Sequence, residues 1–345
     1  MTAIARIALA VLIALSAGRA FAADNFEKNI MTGGPKGTYI RIGRDIADLG
    51  ARCGLNLNVV ESAGSLENFI GVRQRKNTQF GIVQSDVLEY LKTYAANDPE
   101  IQQAVKGVRI MFPLYNEEVH LLARKEIVSA RDLKGRKVGI GVKDSGTFLT
   151  ASLMLDILRV QDADRQPISE ADGLEKLLAG EIDAFFYVAG APASLFDTDR
   201  IDPERFHLVT LNEEALKATY TPATIAAGAY PWLKSDTELV AVKAVLMTYD
   251  YDKSRNAYHR QSCKAVADYA SLILTGLDRL RTEGHPKWKA VDLAALPPGW
   301  QVGICVKEGM SANYQLSCAG PAPAQKSGDQ EYLDLLKQRL KPNVQ

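Results

Sequence analysis

Four times in the first half of this chain a short apolar run ends in a small-residue turn and then opens into a helical pattern. Phe26 to Met31 runs into TGGPKGTYIRIG (Thr32 to Gly43), and Leu57 to Glu61 runs into Ser62-Ala63-Gly64-Ser65. Phe80 to Val83 leads to Gln84-Ser85-Asp86, and Val138 to Val142 to Lys143-Asp144-Ser145-Gly146-Thr147. After the first turn Ile42, Ile46 and Leu49 fall at i, i+4 and i+7, the spacing of one helix face. Strands alternating with helices give an α/β chain, and such a sheet holds ligands at the carboxyl ends of its strands, where all four turns lie.

The remaining pattern extends this order. Helices are expected over Leu66 to Arg73, from Ser85 through Tyr94, and over Phe148 to Arg159, Gly173 to Gly180 and Asn256 to Leu274. Strands are expected at Val108 to Leu114, Val119 to Arg124, Ile182 to Val188 and Val240 to Tyr249, with Tyr115-Asn116-Glu117-Glu118 separating the first two. This reads as two α/β units joined near Tyr115–Val119, with a return crossing around Thr221–Trp232. A chain of 345 residues exceeds one ordinary core, which fits two domains.

MTAIARIALAVLIALSAGRAFAADN has a charged start at Arg6, an apolar stretch from Ile7 to Leu15 and a small-residue site at Ala20-Phe21-Ala22. It reads as a secretory signal cut after Ala22, too short for a membrane span, which predicts a periplasmic, soluble product. Lys+Arg and Asp+Glu both number 41, so no charge footprint favours nucleic acid. In an oxidising compartment Cys53, Cys263, Cys305 and Cys318 point to disulfides. Of three pairings the sequence favours Cys305–Cys318 across a short polar loop, leaving Cys53–Cys263. With no CxxC and only four histidines, no metal is expected. After Pro297-Pro298 the pattern gives Ala319 to Ser327 as a loop and Asp329 to Arg339 as a docking helix, with Tyr332, Leu335 and Leu336 on one stripe.

The first turn is not a nucleotide loop. GxxxxGK[ST] needs Lys directly after the last glycine, whereas Lys36 precedes Gly37 here, and GxGxxG is absent. What remains is a helix start, whose free N–H groups and aligned dipoles favour an anion such as a carboxylate; a plain tight turn capped by Thr38 fits as well. Ser62 to Ser65 reads as a second such start or as simple capping, with Asn68 one turn on. Asp86 reads as a ligand group or a dipole partner. No GxSxG, HExxH or Ser/His/Asp spacing is present, and His120, His207, His259 and His285 read as structural or solvent-facing. A cleft lined by neutral donors suits binding rather than catalysis, so no enzyme and no cofactor is expected.

The blocks GTYIRIGRDIA, ESAGSLENF, FGIVQSDVL, FPLYNEEVHLLAR, DLKGRKVGIGVKDSGT and GEIDAFFYVAGAP stand in the order found in TAXI-family TRAP transporter solute-binding proteins, which the chain resembles from about Asn29 to Trp232. The resemblance implies a two-lobed periplasmic-binding-protein fold (type II, Venus-flytrap) with two βα domains and a hinge of two crossing segments. It divides the chain into a signal peptide (1–22), lobe I (23–116), lobe II (117–228), a return to lobe I (229–296) and a C-terminal extension (297–345). The implied partners are a small organic solute (a carboxylate or an amino acid) held by a monomer, and the membrane permease subunits of a TRAP transporter. Carried over by position, the ligand-facing residues are Thr38, Tyr39, Ser62, Ala63, Gly64, Ser65, Gln84, Asp86, Ser145, Gly146, Thr147 and Tyr187. Delivery to an ABC permease, sensing for a membrane kinase and a periplasmic enzyme on the same fold are the alternatives. Pro35-Lys36 and the region after Pro297 depart from the family pattern.

Overall fold

A computed structural model describes residues 26–35, 37–316 and 318. The expected signal peptide, Lys36, the Ala319 to Ser327 loop and the Asp329 to Arg339 helix lie outside the described residues. Residues 27–50 and 56–316 form one compact unit. Residues 51–55 fall in a second unit, which holds the Cys53–Cys318 disulfide.

The larger unit repeats one wiring twice. Strand β1 (Asn29–Met31), helix α1 (Thr38–Ala51), β2 (Asn58–Val60), α2 (Ser65–Gln74) and β3 (Thr78–Gln84) build the first set, with β1 between β2 and β3. Helices α3 (Val87–Tyr94) and α4 (Pro99–Gly107) follow, and then the 17-residue β4 (Val108–Arg124). The second set is β5 (Lys137–Gly139), α5 (Gly146–Ile157), β6 (Asp164–Gln166), α6 (Glu170–Ala179) and β7 (Ala184–Ala189), with β5 between β6 and β7. Strands β8 (Phe206–Leu208), β9 (Thr221–Ile225) and β10 (Thr237–Tyr249) and helix α7 (Ala257–Thr275) complete the frame. β1 is parallel to β2 and β3, and β5 to β6 and β7. Asn256 caps α7, its Oδ1 accepting from His259 N at 2.9 Å, and Gly180 ends α6 as expected, at φ 81°, a left-handed position that suits glycine.

The strands expected on either side of Tyr115–Glu118 are one continuous strand, β4, which pairs with β10 at Ala241↔Glu118, Val242↔Glu117 and Lys243↔Asn116. β10 is the return crossing: its first part pairs with β9 and its later part, Ala244–Met247, with β3. Tyr230, Trp232, Leu239, Val240 and Val242 pack with Leu121, Phe185 and Phe196 in the second lobe's core. The chain therefore returns at Ala241–Ala244, not at Thr221–Trp232, and residues 229–242 belong with lobe II. Aromatic stacking holds this stretch, with Tyr230 and Trp232 parallel at 5.7 Å.

The extension also begins later than the Pro297-Pro298 signal suggests. Trp300 enters the first lobe's core and donates from Nε1 to Ser85 O at 2.9 Å, and Val302 bridges to Ile110. Both expected cysteine pairings are overturned: the disulfides are Cys53–Cys318 and Cys263–Cys305. Cys263 on α7 and Cys305 on the helix Ile304–Gly309 are both buried, so this bridge fastens the segment after Pro298 to the body.

The lobes meet through α5. Its sequence GTFLTASLMLDI is apolar all round, and a helix of that kind must be covered on every side. Ala151, Met154 and Leu155 face the second lobe's core, while Leu149 and Leu153 insert among Phe69, Val72, Leu88 and Leu91 of the first. Lys287 adds a polar tie by donating to Ala191 O at 2.6 Å. Asp45 of α1 anchors the preceding turn, accepting from His285 N at 2.7 Å and Trp288 Nε1 at 2.8 Å.

Candidate functional site

The small-residue turns meet at the carboxyl ends of β1, β2, β3 and β5. They line a cavity of ≈ 400 Å³ between the lobes, within the range of small-molecule sites. Every ligand-facing residue expected from the sequence lines it except Asp86. Helices α1, α2 and α5 start at its wall with Thr38, Ser65 and Gly146. First-turn N–H groups have no acceptor within their own helix, so three helix ends offer donors and positive dipole ends to the same space. Gly64 sits at φ +127°, a conformation only glycine adopts without strain, and a Cβ there would stand 3.3 Å from Gly146 N.

Most of the hydroxyls shape the walls. Ser62 Oγ accepts from Gly64 N at 3.1 Å, Ser65 Oγ from Gln84 N at 3.0 Å, and Ser145 Oγ from Phe148 N at 3.1 Å. Thr147 Oγ1 accepts from Val188 N at 3.2 Å, which joins the α5 start to β7. Asn68 does not line the cavity but supports its wall, accepting from Ser62 Oγ at 2.6 Å. Its Nδ2 donates to Thr32 O and Ile82 O, at 2.5 and 2.7 Å, and so clamps two strand ends together.

Sequence reasoning missed Glu117 and Glu170, both on the cavity wall. Glu117 lies on β4 where the chain crosses between lobes and is 5% exposed. Tyr39 OH donates to its Oε2 at 2.8 Å, and Tyr115 OH to its Oε1 at 3.5 Å. Burial pushes this carboxyl up to about 7, against the lowering effect of hydrogen bonds from Tyr39 and Gln84, with Glu118 and Asp86 raising it further. Burial and the neighbouring Glu117 in turn hold the Tyr39 phenol well above its ordinary range. The available signal was Asn116-Glu117-Glu118, three polar residues inside an apolar run, with neither glycine nor proline among them to make a turn. Such residues within a buried strand must face a partner or a cavity.

Asp86 is the exception. It stands at the start of α3 without capping it, and its Oδ2 lies 2.8 Å from Thr150 Oγ1 and accepts from Tyr220 OH at 3.2 Å. It therefore joins the lobes behind the cavity. His120 is structural, as expected. Burial lowers it to about 4, so it is neutral: Nδ1 donates toward Glu118 O and Tyr187 O, and Nε2 accepts from Tyr230 OH at 2.7 Å. Among the described residues no group of His, Cys, Asp and Glu is arranged to hold a metal ion, and no helix is long and apolar enough to cross a membrane. A wider groove of ≈ 500 Å³ runs between α2 and α4 past Phe69, Arg73 and Pro99, away from the strand ends.

These features define a two-lobed α/β fold of the periplasmic-binding-protein type, with a cavity between the lobes near the crossing of two strands. The sequence pattern of the NMT1-like family matches residues 30–259, more than half of the 345, and the chain belongs to that family. Among solved structures it is similar to an amino acid ABC transporter substrate-binding protein from Streptococcus pneumoniae bound to L-arginine. That match has 16% identity and a TM-score of 0.41, over 77% of this chain and 95% of that one. It is similar to a TctC solute binding protein from Polaromonas at 15% identity and TM-score 0.41, over 73% of this chain and 87% of that one. It is also similar to a histidine kinase sensor domain with similarity to periplasmic binding proteins, at 15% identity and TM-score 0.43, over 77% and 96%.

Proposed function

We propose that this protein is an extracytoplasmic solute receptor, which takes a small carboxylate-bearing solute between its lobes and delivers it to a TRAP-type, ion-gradient-driven permease. One observation carries the reading: three helix starts and a buried carboxyl face each other across one cavity. The helix ends suit the solute's carboxylate, and Glu117 suits a hydrogen-bond donor such as an ammonium group. That pairing favours an amino acid over a dicarboxylate, because a second carboxylate would stand against Glu117. The TRAP assignment rests on the six sequence blocks that resemble the TAXI family. The two disulfides fit an oxidising compartment and the export signal read at the start of the sequence. No cofactor enters the reading, and no chemical step is assigned to the cleft.

Thermal-shift measurements test it directly, on protein freed of carried solute by unfolding and refolding. A solute at a hundred times its Kd adds about 2.7 kcal/mol to the native state. For a chain of this size that raises the Tm by roughly 5–10 °C. The expected result is such a rise with one or more amino acids and none with dicarboxylates. No shift with any amino or organic acid would overturn the receptor reading.

A further inference from the structure

We propose that the contact of Asp86 with Thr150 and Tyr220 is a proton-operated clasp, which holds the two lobes together when Asp86 carries a proton and releases them when it does not. The clasp concerns the lobe contact alone and does not depend on a bound solute.

The geometry sets a proton count. Thr150 Oγ1 lies 2.8 Å from Asp86 Oδ2 and 3.1 Å from Gln84 Oε1, and its single proton cannot serve both acceptors. The Gln84 amide donates to Glu117, which turns its oxygen toward Thr150. A proton on Asp86 Oδ2 completes the chain: Asp86 donates to Thr150, Thr150 donates to Gln84, and Tyr220 OH donates to Asp86. Without that proton one acceptor goes unserved, in a place where all four side chains are buried. Asp86 Oδ1 is also buried without a partner, a smaller penalty for a neutral acid than for a carboxylate.

The side chains that contact Asp86, those of Thr150 and Tyr220, carry no positive charge. The ionisable groups around the clasp are Glu117 from β4 and Tyr220 from the segment before β9, with Glu89 and Tyr94 of α3 acting on Tyr220. Burial pushes the Asp86 carboxyl up to about 7, against the lowering effect of its hydrogen bonds with Thr150 and Tyr220. Asp86 belongs to the first lobe, while Thr150 and Tyr220 belong to the second, so separating the lobes returns Asp86 to water. There its pKa is about 3.9.

The sign follows from that difference. Between about pH 4 and 7 the joined form holds a proton that the separated form lacks. The joined-to-separated ratio therefore falls about tenfold per pH unit as pH rises, and levels off above 7. Glu117, raised for the same reason, lies on the crossing strand at the other end of the chain Glu117–Gln84–Thr150–Asp86. A solute group on Glu117 thus stands three hydrogen bonds from the clasp.

Hydrogen exchange at the α5 amides around Leu149–Leu153 reads the separation even where it is rare, in the full chain without added solute. After correction for intrinsic exchange rates, the wild type should open about tenfold more per pH unit between pH 4.5 and 7. Asp86→Asn should be protected and lose the tenfold-per-unit response that Asp86 contributes, any slope left belonging to Glu117, and Glu117→Gln should keep the Asp86 response. A flat corrected profile in the wild type overturns the clasp, and so does an unchanged slope in Asp86→Asn. If Asp86→Asn fails to fold, the wild-type slope and a direct titration of the Asp86 carboxyl by NMR decide: an ordinary carboxylate value overturns the proposal. Failure of every solute to bind would leave these results standing, so the two readings fail separately.

Discussion

Gly146→Val should weaken solute binding by one to two orders of magnitude while the protein stays folded. Gly146 is the first residue of α5, with a backbone conformation open to any residue, so the helix tolerates a side chain. Space is the obstacle: a Cβ there would lie 2.5 Å from Gln84 Oε1 and 2.6 Å from its Cδ. Gln84 is 2% exposed and bonded to Thr150, so it has nowhere cheap to go. Overpacking of this kind costs about 1–3 kcal/mol, which is about tenfold to a hundredfold in affinity when the clash exists only with the lobes joined. Gly64→Val should act in the same direction, because its Cβ would press on Gly146 N and Ser145 Cα. It should also lower the stability of the fold itself, since φ +127° strains any residue but glycine. Titration calorimetry with the solute found by thermal shift measures both. Wild-type affinity in both variants would place the solute elsewhere.

The parts of this site that were legible share one physical cause. A helix start against a strand end needs small residues and caps, and those are local choices written in adjacent positions. Gly64-Ser65 and Ser145-Gly146 could therefore be read without knowing what lies opposite them. Glu117 was illegible for the converse reason. Its meaning comes from Tyr39 and Gln84, which reach it from α1 and β3, and the apolar run around it reads as two strands with a polar break. Asp86 was read as a ligand group because a carboxylate at a strand end is a reasonable one; only Thr150 and Tyr220, both distant in sequence, reassign it. The return crossing was misplaced on similar grounds. Tyr230 and Trp232 pack backward onto Phe196, a choice made by tertiary stacking rather than local propensity. Cysteine pairing is the extreme case, since four positions carry no local sign of their partners.

Replacing both Cys263 and Cys305 by alanine should lower stability by about 4 kcal/mol in the chain-entropy account, in which the loss grows with the length of chain between the two cysteines. That separation is 42 residues. At roughly 2–4 °C per kcal/mol, the melting temperature should drop by about 10 °C. The consequence reaches beyond the unfolded chain. The bridge holds Ile304–Gly309 on α7, and the same segment carries Trp300 into the first lobe, where its indole donates to Ser85 O, one residue before the clasp. A loosened segment frees the Ser85–Asp86 turn, so the variant should also show faster exchange at α5 than the wild type at the same pH. The double alanine variant isolates this bridge, whereas a reductant would open Cys53–Cys318 as well. An unchanged melting temperature would mean that Trp300 and Val302 hold the segment unaided. Lower stability with unchanged α5 exchange would separate the bridge from the lobe contact.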